Sequence, residues 1–337
     1  MKTKLRSIVI ATAALAVSAL AIPAQAAPIV IKFSHVVAEA TPKGKAANKF
    51  RDLVAERMKG KVVVEVFPSS QLFNDDKVME ALLLGDVHIA APSLSKFGKY
   101  TKKIEVFDLP FLFDDLAAAD RFMKSPDGIK INQSMQDKGY LGLGYLHNGM
   151  KVLSANKPLR TPADAKGLKF RIQSSDVLAA QFEAVGGVPL KKPFSEVFTL
   201  LQTKAVDGTE NPWSNVYSKK FHEVQDYFVE SDHGYLGYLV VTSAKFWNGL
   251  PKDIRAELDK ALADAIEYGN SIAAQEAENA KAKVIASGRT KVIKLTAAER
   301  KQWQAAMKPV WSKFEKSIGA DVIEAALKAN SMKAASK

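Results

Sequence analysis

The chain has 337 residues, and its 48 lysines and arginines against 36 aspartates and glutamates give a formal net charge of +12. It contains no cysteine, which excludes disulfides, thiolate nucleophiles and cysteine-based metal sites. The basic residues are spread along helical segments, without the alternation of aromatic and basic residues that is typical of nucleic-acid platforms. We therefore expect no nucleic-acid partner, and we expect the positive surface to attract small anions.

The first 26 residues have the pattern of a secretory signal peptide. A basic start over Met1–Arg6 precedes a short apolar run, and Ala24-Gln25-Ala26 fits the small-x-small rule for cleavage between Ala26 and Ala27. The run is short for a bilayer span, and no second run of transmembrane length follows. With no cysteine for lipid attachment, we expect a soluble periplasmic protein.

The chain that follows is long enough for two lobes. In its first half, strand-like and helical patterns alternate, which favours a parallel sheet with helices on both faces. The predicted elements are a strand over Ile29–His35, a helix over Pro42–Met58, a strand over Lys61–Phe67, a helix over Asp75–Leu84 and a strand over Val87–Ala91.

A second unit begins near Lys151, and no Gly/Ser linker separates it from the first. We therefore expect the chain to cross between the lobes more than once. The predicted elements of this part are strands over Lys169–Ile172 and Tyr238–Ser243 and helices over Val177–Val185, Phe194–Thr203 and Pro212–Lys219. An apolar stripe along Lys252–Ser287 then predicts a helix of about 50 Å, long enough to brace both lobes.

Arg171 and Asn211 form the most informative pair in the chain. Arg171 lies in a strand-like run, where a guanidinium can be offered to a carboxylate as a two-pronged donor. Asn211, followed by Pro212, can add a neutral amide to the same ligand. Together they indicate an anion-binding pocket, and the alternatives are a salt-bridged surface arginine and an ordinary turn.

Enzyme motifs are absent from the sequence. The glycines at 139, 142 and 144 do not form a dinucleotide fingerprint, and neither a Gly-x-Ser-x-Gly elbow nor a His-Glu-x-x-His pair occurs. The five histidines are not spaced for a metal site, and the paired acids Asp75-Asp76 and Asp114-Asp115 are predicted to be helix caps. We expect no catalytic residues, no cofactor and no metal.

The sequence resembles the solute-binding proteins of tripartite ATP-independent periplasmic (TRAP) transporters, and within them the dicarboxylate-binding DctP-type branch. Six blocks that run in order along the chain support this resemblance. They are Ile31-Lys32-Phe33-Ser34-His35-Val36-Val37, Phe67-Pro68-Ser69-Ser70-Gln71-Leu72, Gly167-Leu168-Lys169-Phe170-Arg171, Pro193-Phe194-Ser195-Glu196-Val197, Leu201-Gln202-Thr203 and Asp207-Gly208-Thr209-Glu210-Asn211-Pro212.

The resemblance implies roles for individual residues. Arg171 would clamp a ligand carboxylate, Asn211 would line the pocket, and Phe194 would close over the ligand. Lys151 stands where sialic-acid-binding relatives have a second arginine, so it is either a weaker contact or a solvated lysine near a hinge. For the second end of a dicarboxylate, the predicted cations are Lys43 and Lys96, and the predicted neutral hydrogen-bonding partners are His35, Ser93, Ser95 and Tyr235.

The resemblance also implies an α/β fold of two lobes, spanned by a long helix, with hinge strands near residues 148 and 237. We expect a first lobe over residues 27–148 and 238–275, a second lobe over 149–237 and 276–330, and a disordered tail over 331–337. The implied function is capture of a small organic-acid anion, namely a four-carbon dicarboxylate such as succinate, fumarate or malate. The implied partners are the integral-membrane subunits of a TRAP transporter, and we expect a monomer.

Two other classes of function compete with this interpretation. An exported enzyme would need an activated nucleophile or an acid/base pair, and the sequence offers neither. A sensor protein that presents its ligand to a receptor kinase would use the same pocket and remains open, as does the binding of another organic acid.

Overall fold

The computed structural model describes residues 27–332. The predicted signal peptide and residues 333–337 of the predicted tail lie outside the described residues, whereas Ser331 ends the last helix. The strands are β1 (Ile29–Ser34), β2 (Val62–Phe67), β3 (Ile89–Ala90), β4 (Tyr140–Met150), β5 (Val152–Ala155), β6 (Lys169–Ile172), β7 (Val188–Lys191), β8 (Gly208–Asn211), β9 (Tyr227–Glu230), β10 (Tyr235–Ser243) and β11 (Lys291–Lys294). The helices are α1 (Pro42–Arg57), α2 (Val78–Leu84), α3 (Leu116–Lys124), α4 (Pro126–Gln133), α5 (Asp176–Ala184), α6 (Val197–Gln202), α7 (Trp213–Ser218), α8 (Ala244–Gly249), α9 (Lys252–Ala286), α10 (Ala297–Met307), α11 (Pro309–Ile318) and α12 (Ala320–Ser331).

Two sheets organise these elements, and we use lobe I and lobe II for the parts of the chain built on each. The sheet of lobe I has the order β2-β1-β3-β10-β4, and that of lobe II has the order β11-β9-β5-β8-β6-β7. This confirms the predicted two-lobed α/β fold. The prediction of a parallel sheet was wrong in part, because β10 runs antiparallel to both β3 and β4.

Strand β4 is the main element that the sequence patterns did not predict. It contains the glycine cluster, and two of these glycines are needed for close packing. A Cβ at Gly142 would lie 2.4 Å from the backbone oxygen of Asn132, and a Cβ at Gly144 would lie 2.7 Å from Ile266 of α9. The glycines therefore let α4 and α9 approach the sheet.

Other boundaries differ by a few residues. Helix α2 begins at Val78 rather than Asp75, because the side chain of Asn74 accepts hydrogen bonds from the amides of Asp76 and Lys77 and holds this stretch in a turn. Asp115 caps α3 as predicted, with its carboxylate 2.7 Å from the amide nitrogen of Ala118.

The long helix α9 is confirmed almost to the residue. Its 35 residues pack against α1 and β4 of lobe I and against α7 of lobe II. Small residues allow the close contact with α1, since a Cβ at Gly269 would lie 2.7 Å from the Cβ of Ala46. Over residues 27–332, no helix is both long enough and apolar enough to cross a bilayer.

The chain passes between the lobes at Lys151, between β4 and β5, and again at 231–234, between β9 and β10. The C-terminal helices contact both lobes: Trp303 of α10 lies in a core of lobe II, whereas Trp311 and Val322 join the core of lobe I. The lobe boundaries given above therefore stay a prediction.

Candidate functional site

A cavity lies between the two lobes, where strands β1, β3, β6 and β8 end. The empty space in and around it, open solvent at its mouth included, is about 300 Å³. Open α/β sheets commonly bind ligands at the carboxyl ends of their strands. The lining residues are Val36, Val37, Asp75, Ser93, Lys96, Leu236 and Tyr238 from lobe I, and Arg171, Gln173, Phe194, Asn211 and Asn215 from lobe II.

Arg171 is the dominant charge on the wall of this cavity. Its side chain is only 1% exposed, and its Nε donates a hydrogen bond to the carbonyl oxygen of Lys192 at 2.9 Å. Its Nη2 is buried without a hydrogen-bond partner, and its Cζ lies 5.8 Å from the centre of the Phe194 ring. Burial lowers the pKa of the guanidinium to about 10. The guanidinium is thus fixed by its Nε, and its Nη2 is free to donate a hydrogen bond to a ligand.

Asn211 belongs to a chain of amides on the same wall. The Nδ2 of Asn215 donates to the Oδ1 of Asn211 at 3.3 Å, and the Nδ2 of Asn148 donates to the Oδ1 of Asn215 at 3.0 Å. Asn148 also donates to the hydroxyl of Tyr238. These contacts fix the orientation of Asn211 and connect the two lobes beside the cavity.

The lobe I wall contains neutral polar groups that lack partners. The hydroxyl of Ser93 lines the cavity and is buried without a hydrogen bond. Both ring nitrogens of His35, which precedes the lining residues Val36 and Val37, are also buried without partners. Burial and the neighbouring Lys43 lower the pKa of His35 to about 3, so the ring is neutral and offers one donor and one acceptor.

The two predicted lysines of lobe I are both engaged within the protein. The ammonium of Lys43 donates to the carbonyl oxygen of Ala91 at 2.7 Å and lies 3.5 Å from the centre of the Tyr238 ring, and Lys43 does not line the cavity. Burial lowers its pKa to about 8. Lys96 does line the cavity, but its ammonium pairs with Asp76 at 2.8 Å.

Three other predicted site residues do not line the cavity. Lys151 is 1% exposed at the lobe crossing, and its ammonium donates to Glu210 at 2.8 Å. The hydroxyl of Tyr235 lies 2.6 Å from the Nδ1 of His147 within lobe I. The hydroxyl of Ser95 donates to Asp108 at 2.6 Å.

A second cavity of about 750 Å³ adjoins the first, and Asp75 and Lys96 line both. Ser174 of lobe II reaches across this region, where its hydroxyl donates to Asp76 at 2.8 Å and accepts from Lys96 at 3.2 Å. The lobes are therefore hydrogen-bonded to each other next to the smaller cavity. Among residues 27–332, no group of acidic or histidine side chains is arranged to hold a metal ion.

Residues 33–317 match the family model of bacterial extracellular solute-binding protein, family 7. The chain belongs to this family. A C4-dicarboxylate-binding periplasmic protein DctP from Shewanella loihica is 56% identical, over 97% of this chain and 98% of the relative. A TRAP periplasmic solute-binding protein from Shewanella oneidensis, solved with bound succinate, is 58% identical, covers 90% of this chain and 100% of its own, and superposes with a TM-score of 0.90.

A further solved structure is that of a TRAP periplasmic solute-binding protein from Pseudomonas aeruginosa with bound L-malate. It is 45% identical, covers 85% of this chain and 100% of its own, and has a TM-score of 0.83. These findings confirm the resemblance given by the sequence blocks. As a member of family 7, the chain is a solute-binding protein of a transporter and not an enzyme.

Sequence reasoning missed several lining residues of this family 7 protein. Asp75, predicted to be a helix cap, instead accepts a hydrogen bond from the amide of Ser93 at 3.2 Å. Asn215 could have been found, because it lies four residues after Asn211, in the segment Pro212–Lys219 that was predicted to be helical. Nothing local distinguishes Gln173, which follows the end of β6, or Tyr238, which lies within β10.

Proposed function

We propose that this protein captures a four-carbon dicarboxylate such as succinate, fumarate or malate in the periplasm and delivers it to the membrane subunits of a TRAP transporter. The ligand class comes from the two solved relatives described above, one with succinate and one with L-malate. The periplasmic site of action comes from the names of the curated relatives and from the predicted signal peptide. Delivery by a monomer is part of the same proposal.

The observation that supports this proposal best is the environment of Arg171. A guanidinium that is 1% exposed has, among residues 27–332, no carboxylate within ion-pair distance. Burying an unpaired charge is unfavourable unless a counterion is supplied. A ligand carboxylate would supply it, accepting from the free Nη2 of Arg171 while the Nδ2 of Asn211 lies on the same wall.

Groups on lobe I complete the proposed site. The free hydroxyl of Ser93 and the one N–H of neutral His35 can donate hydrogen bonds to oxygen atoms at the other end of the ligand. Because the two walls belong to different lobes, a ligand that contacts both would draw the lobes together. Closure about a hinge is the usual behaviour of periplasmic binding proteins. We propose that the strand ends near Asn148–Lys151 and Gly237–Tyr238 absorb the change.

Thermal-shift measurements with a panel of acids test the ligand class. Succinate, fumarate or malate at about a hundred times its dissociation constant should stabilise the protein by roughly 2.7 kcal/mol. Monocarboxylates of similar size should raise the melting temperature much less. If neutral sugars or amino acids shifted the melt and none of the three acids did, the proposal would be wrong.

Small-angle scattering tests the closure. The radius of gyration should fall when saturating succinate is added to the ligand-free protein. An unchanged radius would indicate a rigid pocket and would contradict delivery by opening and closing.

A further inference from the structure

Lys219 is a cation beside the cavity that the sequence reasoning did not single out. It follows helix α7 directly and lies one turn after Asn215, so the two side chains project from the same side of the helix. Its ammonium lies 5.4 Å from the centre of the Phe194 ring, the ring that also packs against Arg171. Phe194 thus has two cations within 6 Å of its centre, both from lobe II.

Lys219 differs from the other lysines near the cavity in what its ammonium contacts. Lys43 is bound to a backbone carbonyl under the Tyr238 ring, and Lys96 is paired with Asp76. Within residues 27–332, the ammonium of Lys219 has neither a carboxylate within 4.0 Å nor a hydrogen-bond acceptor. It is nevertheless half-buried, and burial lowers its pKa. An unpaired, partly desolvated cation at this position can accept an anionic partner at low desolvation cost.

Lys219 also acts on the opposite wall. Its charge is one of those that lower the pKa of His35, after burial and Lys43. Lys219 does not itself line the cavity, but it adjoins two residues that do, since its ammonium lies 5.4 Å from the centre of the Phe194 ring and Asn215 precedes it by one helical turn. A ligand seated against Phe194 would therefore have Lys219 within reach of its charge.

We propose that Lys219 is the residue that recognises the second carboxylate of the ligand, and thereby selects dicarboxylates over monocarboxylates. This inference rests on the proposed function. In it, lobe II provides both charges for the dianion, with Arg171 at one end and Lys219 at the other, and lobe I provides neutral hydrogen-bonding groups.

The test uses the full-length mature protein and calorimetry with two ligands, succinate and its monoamide succinamate. Lys219→Met should weaken succinate binding by about tenfold or more, because a charge-assisted contact is lost. Succinamate, which has no second carboxylate, should be affected much less, so the preference for succinate should narrow. Lys219→Arg should restore most of the succinate affinity.

Lys220→Met is the matched control. Lys220 is the next residue and is exposed, and its Nζ lies 3.8 Å from the Oε1 of Glu223. The same loss of charge at this position should leave succinate affinity within about twofold of the unmodified protein. The melting temperature of each unliganded variant reports a purely structural role, which would lower stability without changing the ratio of the two affinities.

Two results would overturn the assignment of Lys219. One is succinate affinity in Lys219→Met within twofold of the unmodified protein, and the other is an equal loss for succinate and succinamate. Failure of the unmodified protein to bind any four-carbon diacid would be a different result, since it would overturn the proposed function and this assignment with it.

Discussion

Two buried cations, Lys151 at the lobe crossing and Arg171 in lobe II, are each 1% exposed, but their surroundings differ. Lys151 pairs with Glu210 at 2.8 Å, and the other oxygen of Glu210 lies 2.7 Å from the Nε2 of His233. Arg171 has no carboxylate partner among residues 27–332 and keeps one nitrogen unbonded. A buried charge with all of its partners is costly to disrupt, whereas one without them is suited to a ligand.

Strand β8 serves both regions with adjacent residues. Glu210 and Asn211 point to opposite faces of the strand, as successive side chains do. Glu210 contacts Lys151 and His233 at the lobe crossing, and Asn211 lines the cavity. Replacing members of each region should therefore change different measurable quantities.

The largest effect on stability is expected at the lobe crossing. Lys151→Met leaves Glu210 buried without its main counter-charge and should lower the free energy of unfolding by about 3–5 kcal/mol. Urea unfolding without ligand measures this. The exposed Lys220→Met should change it by no more than about 0.5 kcal/mol, and a similarly small effect at Lys151 would contradict the structural role.

Arg171→Met should weaken ligand binding but not the stability of the unliganded protein, in contrast to Lys151→Met. Binding of a dicarboxylate should weaken by about 2–5 kcal/mol, because the principal counter-charge is removed. The unliganded protein should be as stable as before or more stable, since burial lowers the pKa of Arg171 to about 10 and its charge opposes folding at neutral pH. Calorimetry and urea unfolding measure the two quantities. Destabilisation as large as that of Lys151→Met would remove the distinction between the regions.

Acid should weaken the lobe crossing. Burial alone would raise the pKa of Glu210, but Lys151 and His233 lower it from 4.5 to about 2. As the pH falls, Glu210 is therefore protonated in the unfolded chain before it is protonated in the folded protein. The stability that Glu210 contributes above pH 4.5 is lost as the pH falls towards 2. The slope from this one group is at most about 1.4 kcal/mol per pH unit.

Glu210→Gln should flatten the stability curve over this range. Asp120, whose pKa is also near 2, remains in the variant, so the difference between the two curves isolates Glu210. Parallel curves for the two proteins would show that Glu210 does not titrate as described.

The smallest effect is expected at the contact between the lobes. Ser174→Ala removes the hydroxyl of lobe II that hydrogen-bonds to Asp76 and Lys96 of lobe I. Ser174 does not line the smaller cavity that contains Arg171, so the wall of that cavity is unchanged. Because the Ser174–Asp76 hydrogen bond is exposed and the one to Lys96 is only partly buried, the free energy of dicarboxylate binding should weaken by at most about 1 kcal/mol. A loss as large as that of Arg171→Met, measured by calorimetry, would mean that Ser174 belongs to the site itself.

The sequence by itself determined the class of protein, the two-lobed fold, the long helix α9 and the place of Arg171 and Asn211 on the cavity wall. These features depend on local patterns: an apolar stripe, short strand-like runs and blocks shared with a family. The glycine-rich β4 was missed because its glycines are explained only by the close approach of α4 and α9.

Only the tertiary structure decided which lysines are free. The sequence does not show which of the four lysines Lys43, Lys96, Lys151 and Lys219 has a partner. In the fold, Lys43 binds the Ala91 carbonyl, Lys96 pairs with Asp76 and Lys151 pairs with Glu210, each of them distant in the chain. The strength of a charge pair depends on distance through space and on burial, and the sequence states neither. The fold leaves Lys219 without such a partner among the described residues, beside the same ring as Arg171.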